Sequence, residues 1–396
     1  MGYGLKLALS AILLAFFIYI PNVEASGGGH DFPENASFST LIKMPLTMQG
    51  LASGPDGYLY AAGRNTPAGV PCPIWRVDPN NPTLVVVGFV PAANSMTSCI
   101  VIGLAFNQNG DLFVGDTVTG RIYSFTPDES SPPLATEFGT AANGLANIAF
   151  DQDGNLWATD GPSNQGRVWK IPAGGAGVVQ FRIPPLRNSL GIGRDTNRFP
   201  LGNALGLGVA TGLAFNADGE LFITDVSRGV IWKAEFYRDG GLRSKIGCDT
   251  TYPADTLCLE NAFVQHPILS GAGGIAIDRK GNLWVTSIDR NSMTWISRDG
   301  EVAEVFRNPV SETTGRRNEG PLEFPAVPVL IGGLLCVSNL DSDIQDNSPN
   351  SGGDISPAGP DRGKIACMDQ GTFTPGLPLP VGSDRGNHHK PWLWPR

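Results

Sequence analysis

One short unit recurs along this chain, and its spacing leaves few folds open. It reads GLAFNQNGDLFVGDTVTGRIYSF from Gly103, NIAFDQDGNLWATDGPSNQGRVWKI from Asn147, GLAFNADGELFITDVSRGVIWKA from Gly212 and GIAIDRKGNLWVTSIDRNSMTWIS from Gly274. A weaker first copy, GLASGPDGYLYAAGR, starts at Gly50, and a degenerate sixth runs from Pro325 through Gly332 to Cys336. In the first five copies the opening residue precedes a turn glycine by seven positions. Those glycines (Gly57, Gly110, Gly154, Gly219 and Gly281) recur every 44 to 65 residues. That period suits a four-stranded propeller blade with insertions.

Each copy reads as strands. Gly-Leu-Ala-Phe is a short apolar run suited to a buried innermost strand, a. The Asp-Gly or Asn-Gly pair that follows supplies a tight hairpin turn. Strand b carries an aromatic after a leucine (Tyr60, Phe113, Trp157, Phe222, Trp284), and strand c carries one at a matched place (Trp75, Tyr123, Trp169, Trp232, Trp295). Aromatics this regular predict packing between neighbouring blades rather than a ligand-stacking column. Strand d is a looser β-rich segment such as Leu84–Val87 or Val178–Phe181. Six such units predict an all-β fold, a six-bladed β-propeller with four-stranded antiparallel blades. Phe38 to Leu46 precedes the first strand a and is placed to supply the outermost strand of blade 6. Thr374 to Val381 competes for that position, weakened by Pro375, Pro378 and Pro380.

Composition agrees. With 51 glycines, 32 prolines and only 16% charged residues, the chain is no helical bundle, and 41% hydrophobic residues argue against disorder. A net charge of −9 without a basic run excludes nucleic acid as a partner.

The N-terminus reads as an export signal over residues 1–25. Lys6 precedes a 14-residue apolar stretch, Leu7 to Ile20, and Val23-Glu24-Ala25 supplies a cleavage site before Ser26. The stretch falls short of the roughly 20 residues of a membrane span, so cleavage leaves no stable span and the expected destination is secreted or periplasmic. Residues 26–37 then form a linker, 38–385 the propeller and 386–396 a tail. Six cysteines in an exported chain are expected to be oxidised. They fall in three local pairs, Cys72 with Cys99, Cys248 with Cys258 and Cys336 with Cys367. Six thiols allow 15 pairings; sequential pairing is expected because each pair falls inside one repeat.

The G-[LI]-A-x-x-x-x-G-x-L-[WFY]-x-x-[DS] unit resembles that of the gluconolactonase/senescence-marker-protein and NHL-repeat group of six-bladed propellers, over nearly the whole mature chain. The resemblance implies a divalent cation such as calcium, held by Glu, Asn and Asp just before the glycine that opens strand a. That column here reads Gln49, Ile102, Ala146, Thr211, Gly273 and, in the degenerate sixth copy, Phe324, with no carboxylate. Asn143, Asn147, Asn203 and Asp225 stand close enough in sequence to rebuild a shell, with Asn147 and Asp225 as metal candidates.

Other oxygen-rich places have structural readings. Asp116, Asp160 and Asp225 end strand b at equivalent positions, where a side chain caps the b-to-c turn. Asp341 to Asp346 has acidic spacing but lacks the glycine and distal Glu of a calcium loop. There is no Gly-x-Ser-x-Gly elbow and no phosphate-binding glycine loop. Of the four histidines (His30, His266, His388, His389), only His266 falls among the repeats.

In a blade, the d-to-a connection and the b-to-c loop emerge on one face, around the channel mouth. The long segments 182–209, 307–323 and 339–362 all gather there, which makes that face the expected site. Two readings follow. One is a binding module taking a small molecule, glycan or protein segment at Gln49, Asn143, Asn147, Thr211 and Asp225. The other is a metal-dependent lactone or ester hydrolase, in which a cation at these positions activates water.

Overall fold

The computed structural model describes residues 36–64, 66–92, 100–161, 165–184, 210–340 and 363–368, all within one compact unit, 32–396. The expected signal peptide, most of the linker, Cys99, Asn203, Asp341 to Asp346, Thr374 to Val381, the tail, His30, His388 and His389 lie outside the described residues.

Six four-stranded antiparallel sheets form the blades, as the repeats predict. In blades 1 to 5 the strands run a to d in chain order. Blade 6 takes its fourth strand from the other end of the chain: Phe38–Met44 pairs with Gly363–Met368, which pairs with Leu334–Asn339 and that with Pro325–Ile331. The first strand of the chain therefore closes the ring, and no blade is left as a free end.

The turn glycines sit where predicted, at φ 83° (Gly57), 85° (Gly110), 78° (Gly154), 79° (Gly219) and 84° (Gly281). In blades 2 to 5 the side chain three places earlier fixes the tight turn, whereas blade 1 has Gly54 there and uses Asp56, whose Oδ1 accepts from Tyr58 N at 3.2 Å. Asn107 Oδ1, for example, accepts from the N–H groups of Asn109 and Asp111 at 2.9 Å each, and Asp151, Asn216 and Asp278 repeat the pattern.

The hydrophobic core is six slabs, each lying between two neighbouring blades. The aromatic columns belong to these slabs. Tyr60 on strand b of blade 1 meets Phe106 on strand a of blade 2 with ring centroids 4.7 Å apart. Phe113 meets Phe150 of the next blade at 5.0 Å, and Trp157 meets Phe215 at 5.7 Å. Edge-on ring contacts at this spacing suit the aromatic quadrupole.

Nearer the axis the blades are joined by hydroxyls. Every strand a has a bulge or register shift at its axial end, which frees backbone groups from the ladder. The facing residue on strand b is Thr159, Thr224, Thr286 or Ser338 in blades 3 to 6, each fully buried. Each donates to a bulge carbonyl of the following blade: Thr159 to Thr211 O at 2.6 Å, Thr224 to Gly273 O at 2.5 Å, Thr286 to Ala326 O at 2.8 Å and Ser338 to Gln49 O at 2.8 Å. Three also accept the freed N–H of their own blade, from Gly212 at 2.7 Å, Gly274 at 3.0 Å and Val327 at 3.1 Å. Blades 1 and 2 have Ala62 and Gly115 in this place. A Cβ on Gly115 would lie 2.4 Å from Leu145, whose side chain fills the gap.

Cys248–Cys258 and Cys336–Cys367 are disulfides, as expected, and Cys72 is also disulfide-bonded. The first ties an insertion between strands c and d of blade 4, on the face opposite the channel mouth. There Glu235 pairs with Lys233 at 2.8 Å and with Arg243, and their hydrogen bonds hold its carboxyl down at about 2. Among the described residues no helix is long and apolar enough to cross a membrane.

Two outcomes follow from these contacts. Thr224→Val keeps the shape but strands a buried N–H and a buried carbonyl, so urea denaturation should show a loss of about 2–3 kcal/mol. Thr136→Val, at an exposed hydroxyl, should stay within about 0.5 kcal/mol. For Glu235, a depressed folded pKa gives stability that is complete above the ordinary carboxylate value of 4.5 and lost as pH falls toward 2. The urea midpoint gap between the native protein and Glu235→Gln should therefore narrow over that interval.

Candidate functional site

The six inner strands converge on a cavity of about 170 Å³ at the channel mouth. Its inner ring is the column predicted from the repeats: Gln49, Ile102, Ala146, Thr211 and Gly273 all line it. The sixth member is corrected by register. Pro325 pairs with Asn339 as Ala210 pairs with Asp225, so Ala326, not Phe324, holds the column position in blade 6. The prolines of that strand displace the Gly-Leu-Ala signal that locates the position elsewhere.

Close approach of the inner strands shapes this ring. A Cβ at Gly50 would lie 2.6 Å from Ile102 O, and one at Gly274 would lie 2.4 Å from Ala326 O. Blade 3 has Asn147 at the equivalent place, paired with Thr159 as Gly50 is paired with Ala62. Asn147 lines the cavity, and its Oδ1 accepts the N–H of Ile148 at 2.9 Å. Its Nδ2 donors remain for a ligand. Thr211 is turned toward the next blade: its hydroxyl lies 2.8 Å from Thr224 Oγ1 and donates to Ala272 O at 3.0 Å.

The candidates separate accordingly. Gln49, Asn147 and Thr211 come together around one cavity. Asn143 is exposed in the turn before Gly144 and is not among the lining residues. Asp225 is fully buried and also off the lining. Its Oδ1 caps the b-to-c turn, accepting from Ser227 N at 3.1 Å and Arg228 N at 3.2 Å. Its Oδ2 receives Arg228 Nε at 2.6 Å and Trp232 Nε1 at 3.2 Å. Burial holds this carboxyl above the ordinary carboxylate range, and the Arg228 guanidinium offsets that only in part. Asp116 caps its turn in the same way, and Asp160 receives Arg167 and Trp169. The carboxylates closest in sequence to the inner ring are thus committed to turns.

The upper wall comes from residues the repeat pattern did not single out. The position just past strand b is Val226, Ile288 and Leu340 in blades 4 to 6, and these three pack with Phe324 into an apolar cluster. Ile288, Leu340 and Phe324 line the cavity, joined by Ile100 and Thr117. This signal was available, since each follows the strand-b Asp, Ser or Asn by one place.

Phe324 has a second distinction. It is a large, buried side chain at φ 53°, a left-handed conformation that bulky residues avoid. Its N–H donates to Asn291 Oδ1 at 2.9 Å, and Asn291 is itself left-handed at φ 49°. Its carbonyl accepts from Leu340 N at 3.1 Å. The loop leading to it is held by further buried amides. Asn308 Nδ2 donates to Leu322 O at 2.6 Å, Asn291 Nδ2 to Arg317 O at 2.7 Å, and Asn339 Oδ1 accepts Glu323 N at 2.9 Å. The ring is set against the cavity by a loop with little freedom to move.

Residues 203–315 match the family model described as SMP-30/Gluconolactonase/LRE-like region. The chain carries a gluconolactonase-like region. That match and the six-bladed ring agree with the resemblance read from the repeats. Similar solved structures include a calcium-binding protein, regucalcin, from Agrobacterium tumefaciens, with 14% identity, TM-score 0.54, and coverage of 84% of this chain and 93% of that one. A gluconolactonase from Xanthomonas campestris shows 15% identity, TM-score 0.50, and coverage of 86% and 90%. A luciferin-regenerating enzyme shows 12% identity, TM-score 0.53, and coverage of 86% and 97%. At these identities the likeness establishes the fold alone. A search of curated proteins finds no match.

Among the described residues, the donors that line the cavity do not suit a divalent cation. Hard cations need several converging oxygens, carboxylates foremost. The inner ring offers none, Thr211 is spent on the next blade, and Asn147 Oδ1 is taken. Among the described residues no group of three His, Cys, Asp or Glu is placed to hold a metal.

The lock on Phe324 can be measured. Asn291→Ala removes its acceptor and keeps a Cβ at positive φ, and should cost about 3 kcal/mol by urea denaturation. Asn291→Gly should recover about 1 kcal/mol of that, because glycine takes this φ without strain.

Proposed function

We propose that the protein is an exported propeller that binds a small ligand in the cavity at its channel mouth. The observation that carries this reading is the cavity itself, a pre-shaped space at the convergence of all six blades. The apolar stretch after Lys6 and the disulfides support export to an oxidising compartment. The same face is open to larger partners, a glycan or a protein segment, as extensions of the small-molecule site.

A second reading is a metal-dependent lactonase or ester hydrolase. It is favoured by the gluconolactonase-like region and by relatives named as a gluconolactonase and as a calcium-binding regucalcin. The donor set of the cavity speaks against it.

Thermal melts with millimolar calcium or zinc, each against EDTA, separate the two. A ligand at a hundred times its Kd adds about 2.7 kcal/mol, a rise on the order of 5 °C for a chain of this size. The binding reading predicts superimposable melts. A rise with calcium or zinc, reversed by EDTA and accompanied by turnover of a lactone or aryl ester, would establish the hydrolase instead.

A further inference from the structure

The chemistry of the wall narrows the ligand, and this step rests on the channel-mouth reading above. No charged side chain lines the cavity among the described residues. One side is apolar: Ile288, Leu340 and Phe324, which Ile102 faces from across the inner ring. The other side presents the amides of Gln49 and Asn147, which flank Ile102 in neighbouring blades.

We propose that the cavity takes a small, neutral molecule consisting of a single apolar ring and one hydrogen-bond acceptor. The ring lies against Phe324 and the aliphatic wall, and the acceptor meets the Nδ2 of Asn147. Four observations support it. Apolar space of roughly 150 Å³ holds one six-membered ring, and the cavity is about 170 Å³. A charged ligand would meet no counter-charge from these lining residues and would lose its hydration without compensation. Phe324 is kept in a left-handed conformation that bulky residues avoid, and its partners Asn291 and Leu340 hold its backbone so that the side chain lines the cavity. Strain of this kind persists where surrounding contacts over-determine it, and here they hold one aromatic side chain at the mouth of the channel. Asn147 is the complementary feature. Four of the other five blades have glycine at its position (Gly50, Gly103, Gly212 and Gly274), so the one amide in that column gives the cavity a direction.

Benzamide and D-glucono-1,5-lactone are the probes, titrated into the full-length mature protein by calorimetry and ligand-observed NMR. Benzamide should occupy one saturable site, and the lactone none. Phe324→Gly removes the ring at a φ that glycine adopts freely, and Ile102→Asn places a polar group at a half-buried lining position. Each should weaken benzamide at least tenfold. Asn147→Gly restores the glycine of the other blades and should weaken it about tenfold, the worth of one hydrogen bond. Should Phe324→Gly fail to fold, the other two variants still decide. Benzamide that does not bind, or binds equally well to Ile102→Asn, overturns the proposal. Saturable lactone binding that Ile102→Asn abolishes, with benzamide silent, overturns the apolar ligand while leaving the channel-mouth reading in place. Silence of both probes overturns the ligand assignment as well.

Discussion

Six strands cannot meet around one axis as ordinary ladder strands. Each breaks register where it meets its neighbours, and each break frees backbone groups beside the channel cavity. The buried hydroxyls of Thr159, Thr224, Thr286 and Ser338 resolve this by taking an N–H from their own blade, donating to a carbonyl of the next, or both. An unpaired buried backbone group costs about 1–3 kcal/mol, so these four hydroxyls stabilise the joints of blades 3 to 6, while Leu145 fills the place beside Gly115 in blade 2. Ser338 makes the contact that joins blade 6 to blade 1, beside the strand exchange that closes the ring at its rim. Outside the hydroxyl ring, the inter-blade slabs add the apolar burial that makes the assembly cooperative.

The character of the cavity follows from that arrangement. Polar side chains near the axis are spent holding blades together, and strand-b carboxylates are spent on turns. Among the described residues, what faces the channel is mainly the aliphatic and aromatic set just past strand b, together with Thr117 and two amides. A gluconolactonase-like scaffold therefore surrounds a space whose chemistry is apolar. The family match over residues 203–315 bears on the frame alone, and the proposed ligand is argued from the side chains set on it.

The fold was legible because it is written as repetition. A motif of low information became decisive when its turn glycine returned at one offset, and the closing role of Phe38–Met44 followed from having a strand to spare at the front. The inner column was legible wherever a glycine marked it, and it slipped by two residues in blade 6, where Pro325 and Pro328 replace the usual signal. Asp225 illustrates a different limit. Its type and position suited a metal as well as a turn, and only its contacts with Arg228 and Trp232 show which it serves. Phe324 was beyond sequence reasoning altogether, since nothing in a bulky residue advertises a left-handed backbone. Val226, Ile288 and Leu340 were within reach, one place beyond the acids that drew attention instead.

We propose that this channel mouth is an apolar chamber rather than a cation centre. Elemental analysis of the mature protein, purified without chelators and passed through a desalting column, tests it most directly. The account predicts no stoichiometric calcium, manganese or zinc. One equivalent of any of them, retained by the native protein and lost from Gln49→Ala or Asn147→Gly, would contradict it.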